Sequence, residues 1–302
     1  MMNARQLAAG EARTYLDAEL VEPDVFELAG GIAAVVSMRR PAKATANEDA
    51  AAIISAGPGA AVLVVADGCG GMASGEQAAR IAIECLTARI SAAALAEGAS
   101  IRGAILDGVE EANRQILDLK TGAGATLAVV QLEAGEARPY HVGDAQILLV
   151  GGRGKVKLLT TAHSPVGYAV EAGLLEEHEA LDHDERHLVS NYLGSERMHV
   201  EVGSARKLSS RDGLLIASDG VLDNLTTEEI IGILKSGAAL TAATRITAIA
   251  SQRMQVAQDG LPHKPDDLTL IVYSQRGVKP PPAAPKETQL ALIDELDAGG
   301  RT

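Results

Sequence analysis

Short apolar runs in this chain keep stopping on carboxylates. VLVVA runs into Asp67-Gly68 and LLIAS into Asp219-Gly220; Asp266-Asp267 opens LTLIVYS, Asn47-Glu48-Asp49 opens AAAIIS, and Gly143-Asp144 separates YHV from AQILLV. Runs of this length bounded by Gly and Asp read as strands. A carboxylate at a strand end sits on a rigid element and points at a sheet edge, unlike one on a solvated helix face. Such a chain must fold into an arrangement of short strands whose acidic ends can gather along one edge.

The rest of the sequence fills in the layers. Residues 1–28 are mixed and helix-prone without a clear period, and are expected as an N-terminal extension; the folded unit is expected over 29–275. IAAVVS reads as a strand, and Asp49–Ser55 and Ala61–Ala66 as a hairpin turning at GPG and ending at Asp67. Ser74-x-x-Gln77 has the form of a capping box, with Ile81, Cys85, Ala88, Ala92 and Leu95 at helical spacing behind it. A second helix from near Ser100 carries Ile101, Ile105, Val109, Ala112, Ile116 and Leu119 on one face. TLAVVQL, RPYHV, AQILLV and KVKLLT then form a meander, and the polar, His-rich stretch at about 162–194 reads as a flap. Thr226-x-x-Glu229 caps one helix and another spans about 238–258. Strands at both ends with two helix pairs between them give an α+β layered domain. Residues 276–302 hold a Pro-rich linker and the acidic tail LALIDELDA.

Charge and composition exclude several functions. With 27 Lys and Arg against 40 Asp and Glu, the net charge of -13 repels nucleic acid and anionic membranes and favours cationic partners, metal ions included. The absence of Trp, with one Phe and five Tyr, removes a base-stacking platform and leaves Ala, Val, Leu and Ile to build the core. Cys69 and Cys85 lack C-x-x-C spacing, which suits a reducing cytosol. No signal-peptide pattern and no apolar run near 18 residues occurs, so a cytoplasmic protein is expected.

Taken singly, Asp-Gly after a strand is an ordinary turn. Five acidic strand ends together suit oxygen-loving Mg²⁺ or Mn²⁺ better than zinc. Two such cations about 3.5 to 4 Å apart could share Asp67 and activate a bridging water for in-line attack on phosphorus. His183 and His187 in HDERH mimic a zinc pair but lack the H-E-x-x-H order, and GGRGK at 151–155 lacks phosphate-loop spacing and reads as a hairpin turn.

The segments NEDAAAI, VADGCGGMASGEQAA, GATLAVV, HVGDAQILLV, LLTTAHS, VEAGLLEEHEALDHDERHLVSNYLG, LLIASDGVLDNLTTEEI and PDDLTLIVY, in this order, resemble the motif series of the PPM-family (type 2C) serine/threonine phosphatases of bacterial type. The resemblance covers about residues 30–274. It implies a four-layer α-β-β-α sandwich of two antiparallel sheets flanked by helix pairs, a phosphoprotein substrate, and two or three Mn²⁺ or Mg²⁺ ions at one edge. By position, Asp67 is similar to the ligand bridging both metals and the Gly68 carbonyl to a ligand of the second. Asp219 and Asp266 correspond to ligands of the first, Glu48 and Asp49 to the acidic pair beside the second, and Asp144 to a third-metal ligand shared with Asp219. Asp67, Asp219 and Asp49 are thus the expected catalytic core.

Three departures stand out. Ala44 occupies the place of an Arg that grips substrate phosphate in the family; either Lys43, Arg40 or Arg39 takes over, or phosphate is held weakly and the chain is a weak or inactive relative that binds a phosphoprotein. Cys69 replaces a common His, and reads either as a small loop side chain or as an oxidisable thiol of lowered pKa. GDAQ and TAHS put Gln146 and Ala162 where Arg and Asp are usual, a loss that is matched if the two are partners.

Overall fold

The computed structural model describes residues 4–69, 74–176, 179–180 and 183–276. The acidic tail and almost all of the Pro-rich linker, as well as Gly70–Ala73 of the VADGCGG region, lie outside the described residues.

The strands in chain order are β1 (Arg5–Gln6), β2 (Ala12–Leu16), β3 (Asp24–Leu28), β4 (Gly31–Met38), β5 (Asp49–Gly57), β6 (Ala60–Gly68), β7 (Ala125–Glu133), β8 (Glu136–Val142), β9 (Gln146–Val150), β10 (Val156–Leu159), β11 (Glu201–Val202), β12 (Arg206–Lys207), β13 (Gly213–Ala217) and β14 (Leu268–Gln275). The helices are α1 (Gly75–Leu95), α2 (Ile101–Asp118), α3 (Pro165–Glu171), α4 (Asp219–Leu222), α5 (Thr227–Leu234) and α6 (Ala239–Gln255). One sheet runs β1-β3-β4-β14-β13-β9-β10 and the other β11-β8-β7-β6-β5-β2, with β12 also on β8. Every pairing is antiparallel except β1 with β3.

The near-continuous apolar strands are what a sheet covered on both faces requires. Phe26, Ile53, Leu63, Val65, Ile147, Leu149, Ile216 and Ile271 fill the space between the sheets. α1 and α2 cover the outer face of the β5–β8 sheet, and α5 and α6 that of the other. This is the expected four-layer sandwich, with a core of aliphatic residues and the lone Phe buried at its centre.

Three local expectations fail. The described part of the N-terminal segment, residues 4–28, is not a helix-prone appendage: β2 pairs with β5 and β3 with β4, so it widens both sheets. ARTYL and DVFEL are too short for their alternation to stand out from a helical pattern. Ser74 makes no cap hydrogen bond, because its φ of 66° is left-handed and turns the hydroxyl away. On α1 Cys85 is buried and Ile81 packs against the core as expected, with Ala79, Ala82, Ile83, Leu86 and Ile90 beside them, while Ala88, Ala92 and Leu95 face solvent. In a helix this rich in alanine several stripes look alike, and the bulkiest side chains decide. The Thr226–Glu229 capping box forms as expected.

Candidate metal centre

The β5–β6 hairpin sets the first pair of carboxylates. Its register places Asp49 directly opposite Asp67 at the open end, so both side chains emerge on one face. The Asn47 side chain anchors the segment before Asp49, donating to Ala18 O and Ser37 Oγ and accepting from the Asp49 amide. Gly68 donates its N–H to Glu48 O at 3.1 Å. A Cβ at Gly68 would lie 2.3 Å from the Gly75 carbonyl carbon, so only glycine lets the start of α1 press against this strand end.

The other carboxylates arrive where the chain leaves neighbouring strands. Asp144 lies in the turn that carries the chain from β8 in one sheet to β9 in the other; Gly143 before it has φ 96° and sits where a Cβ would strike Thr126 at 2.6 Å. Asp219 opens α4 directly after β13. Asp266 precedes β14 and accepts from the Asp267 amide at 2.9 Å. Ser218 joins the two sheets at this edge: its Oγ donates to Asp49 Oδ2 at 2.7 Å and accepts from the Thr269 amide at 3.0 Å.

Glu48, Asp49, Asp67, Gly68, Asp144, Asp219 and Asp266 all line one cavity of about 520 Å³. Burial, compounded by Asp219, Asp267 and Asp266, raises the Asp49 carboxyl well above the usual range. The same causes, burial first, raise Asp67, with Asp49, Asp219 and Asp144 adding repulsion. Burial together with Asp219 and Asp223 pushes Asp144 up to about 7. Cys69 on the cavity wall is likewise pushed up to about 12 by burial, Asp144 and Asp219. Within the protein's own field it is a protonated thiol, opposite to a lowered pKa.

The cations divide differently from expectation. Arg39 pairs with Glu19 at 2.8 Å, away from the cavity. Lys43 is sealed beneath it, with Nζ 2.7 Å from Glu48 Oε2 and 2.5 Å from Asp267 Oδ2. Only Arg40 of the three lines the cavity; it is exposed and makes no ion pair among the described residues, and its amide is held by Asp267 Oδ1 at 3.0 Å. Sequence reading passed over Lys264, whose Nζ lies 2.6 Å from Asp219, 2.7 Å from Asp223 and 3.2 Å from Asp266. Burial works against its charge, but Asp219 and Asp223 raise its pKa on balance. The buried Asn224 fixes this lysine, accepting from the Lys264 amide and donating to its carbonyl. The faint signals were a lysine two residues before Asp266 and the i, i+4 pair Asp219 and Asp223.

The donor set tests well for hard cations. Seven carboxylates, Asp267 included, converge on one cavity from five segments, and negative charge at this density needs compensation beyond what Lys43 and Lys264 supply. Thr126 Oγ1, on the cavity wall opposite Asp67 in the ladder, is buried without a hydrogen-bond partner among the described residues. An all-oxygen shell with a spare hydroxyl fits Mg²⁺ or Mn²⁺.

Of the histidines, His187 reaches the acidic cavity, while His141 and His163 lie behind the Asp144 turn. His183 and His187 are not on a helix; His187 lines the cavity, while His183 Nδ1 accepts from the Glu185 amide. His141, His163 and Glu201 lie close enough to suggest a ligand set. However, His163 Nδ1 accepts from the Gly143 N–H at 3.1 Å and from Asn191 Nδ2 at 2.8 Å, so its proton is on Nε2, which donates to Glu201. His141 Nε2 donates to Thr161 O. Both candidate nitrogens carry protons, and the trio is a hydrogen-bonded brace behind the Asp144 turn. GGRGK is a hairpin turn, closed by the Gly151 amide on Lys155 O. No helix among the described residues is long and apolar enough to cross a membrane.

Comparison with known proteins identifies the family and the fold. The sequence profile of the family "Protein phosphatase 2C" matches residues 39–257. A Streptococcus pyogenes serotype M6 protein named for the 2C-type phosphatases is 31% identical over 188 residues, covering 60% of this chain and 76% of that protein. The PPM Ser-Thr phosphatase MsPP of Mycobacterium smegmatis, solved with cacodylate, superposes with TM-score 0.64 at 27% identity, covering 80% of this chain and 97% of that one. The catalytic domain of the serine threonine protein phosphatase PstP, solved with two manganese ions, shares the fold with TM-score 0.63 at 24% identity, covering 80% and 96%.

Proposed function

Since the chain belongs to the protein phosphatase 2C family, we propose that it hydrolyses phosphoserine and phosphothreonine in proteins with the help of two divalent cations held by the acidic cavity. It is a protein serine/threonine phosphatase by its relatives, and a phosphoprotein is the substrate such an enzyme takes. The observation that carries the reading is the convergence of Glu48, Asp49, Asp67, Asp144, Asp219 and Asp266 on one cavity.

Asp67, Asp219 and Asp266 would hold one ion, Asp67 and the Gly68 carbonyl the other beside Glu48 and Asp49, and Asp144 a third position shared with Asp219. When bound, Mn²⁺ or Mg²⁺ supplies activation of a water for in-line attack and neutralises the phosphoryl oxygens. Asp49, fixed by Ser218, is placed to orient that water or take its proton. Of the three candidate cations, Arg40 would meet the phosphate, since among the described residues Lys43 and Arg39 are committed to carboxylates. No side chain in the cavity need form a covalent intermediate.

The placement of those two cations favours one other reading, a phosphatase-like protein that binds phosphoproteins but turns them over slowly. A phosphopeptide assay with MnCl₂ separates them: phosphate release that stops with EDTA and in Asp219→Asn supports hydrolysis at this centre. Release persisting under both conditions would remove the metal centre from the mechanism, and manganese binding without release would leave the binding role.

A further inference from the structure

Beside the acidic cavity lies a second one of about 330 Å³, and Asp144 and Asp219 stand in the wall of both. Leu159, Ala162, Val166, Val170, Leu222 and Leu225 give it an aliphatic surface, interspersed with the hydroxyls of Thr160, Thr161, Ser164 and Thr227. Leu159 is 44% exposed, unusual for a strand leucine, because it faces this space.

The pocket is built from braced elements. Ser164 caps α3 by accepting from the Gly167 amide, and a Cβ at Gly167 would lie 2.3 Å from Ala162 O, so the helix start rests directly on the Ala162 backbone. Two of the departures noted in the sequence meet here, since Gln146 and Ala162 both line the pocket. Neither brings a charge, and the short Ala162 side chain leaves the volume open. Among the charged residues of the lining the carboxylates outnumber the cation: Asp144, Glu171, Asp219 and Asp223 stand against Arg186.

We propose that this pocket binds an apolar side chain next to the phosphorylated residue of the substrate, so that the enzyme selects phosphosites with a large aliphatic neighbour and rejects acidic ones. The proposal rests on the phosphatase reading, because it takes the phosphate to sit in the acidic cavity. Consecutive Cα atoms are about 3.8 Å apart, so a residue adjoining a phosphate held by that cavity reaches across the shared Asp144–Asp219 wall. The occupant is therefore part of the substrate chain, and the acidic rim sets its charge preference.

The test uses the full chain and peptides in which a non-hydrolysable phosphonate replaces phosphoserine, with Leu, Gly or Asp on either side of it. Fluorescence anisotropy should show the Leu peptide binding about tenfold or more tightly than the Gly peptide, the size expected for burying one large aliphatic side chain. The Asp peptide should bind weakest. Ala162→Leu, which fills the pocket, or Val170→Asp, should bring the Leu peptide to the level of the Gly peptide. Equal binding of all three by the wild-type chain overturns the proposal, as does a Leu preference unchanged in both variants. A dimer seen by sedimentation that Ala162→Leu dissociates would assign the pocket to a second copy and overturn it too. Turnover of p-nitrophenyl phosphate, measured in parallel, reports on the phosphatase reading alone: its absence with the Leu ranking intact removes hydrolysis and keeps the pocket.

Discussion

Lys43 Nζ lies 2.5 Å from Asp267 Oδ2, with side-chain exposures of only 4% and 3%, and the same ammonium reaches Glu48 Oε2 at 2.7 Å. Asp267 also accepts from the Glu48 amide at 2.7 Å and the Arg40 amide at 3.0 Å. The pair therefore shapes the whole 40–48 segment. Breaking one side of such a buried pair costs about 3 to 5 kcal/mol. Lys43→Met should lower unfolding free energy by about that amount in urea titrations, with Lys43→Met/Asp267→Asn recovering a large part of the loss.

Arg40 should behave in the opposite way. It is exposed and makes no ion pair among the described residues, so Arg40→Ala should leave the urea midpoint within error. If it meets the phosphate, the lost charged hydrogen bonds, worth about 1.5 to 3 kcal/mol, should raise KM for a phosphopeptide by roughly ten- to a hundredfold with a smaller change in kcat. An unaltered KM would show that phosphate is held by other means.

Lys264 competes with cations for Asp219 and Asp266. Calorimetric titration with Mn²⁺ should give about tenfold tighter binding for Lys264→Met than for wild type, equivalent to removing a competitor worth about 1.4 kcal/mol. Asp219→Asn should weaken binding instead. Manganese at a hundred times its Kd should stabilise the wild-type chain by about 2.7 kcal/mol, and EDTA should abolish that gain.

The brace behind Asp144 predicts a pH response. Burial lowers the pKa of His163, with Glu201 working against the shift, and burial also lowers that of His141. The native state then binds fewer protons than the unfolded chain, so this contribution to stability is fully present above the unfolded value of about 6.5 and is lost progressively as pH falls from there through the lowered native values. Unfolding free energy should drop more between pH 7.5 and 5.5 in wild type than in His163→Gln. Equal pH slopes would count against a buried neutral His163.

How much of this was readable beforehand depends on the distance over which each interaction acts. Asp49, Asp67, Asp144, Asp219 and Asp266 were legible because each marks the end of its own apolar strand, a local signal. The layers followed from the order of strands and helices. Lys43 and Lys264 were not legible in their roles: Lys43 is 224 residues from Asp267 and Lys264 is 45 from Asp219, so only the folded sheets bring them together. The same holds for Arg39, whose partner Glu19 lies in a segment that the sequence pattern left outside the fold.

The edge that gathers the carboxylates is also where the chain crosses from one sheet to the other, at 39–48 and again at Gly143–Asp144, and where the Ser218–Asp49 bond links them. Sliding of one sheet against the other would pull Asp49 and Asp67 away from Asp219 and Asp266. Cations at this edge would thus act as rivets through a seam, and the centre doubles as a gauge of packing some distance away. A cavity cut between the sheets, as by Ile53→Ala or Leu63→Ala, should loosen manganese binding even though neither residue lines the acidic cavity.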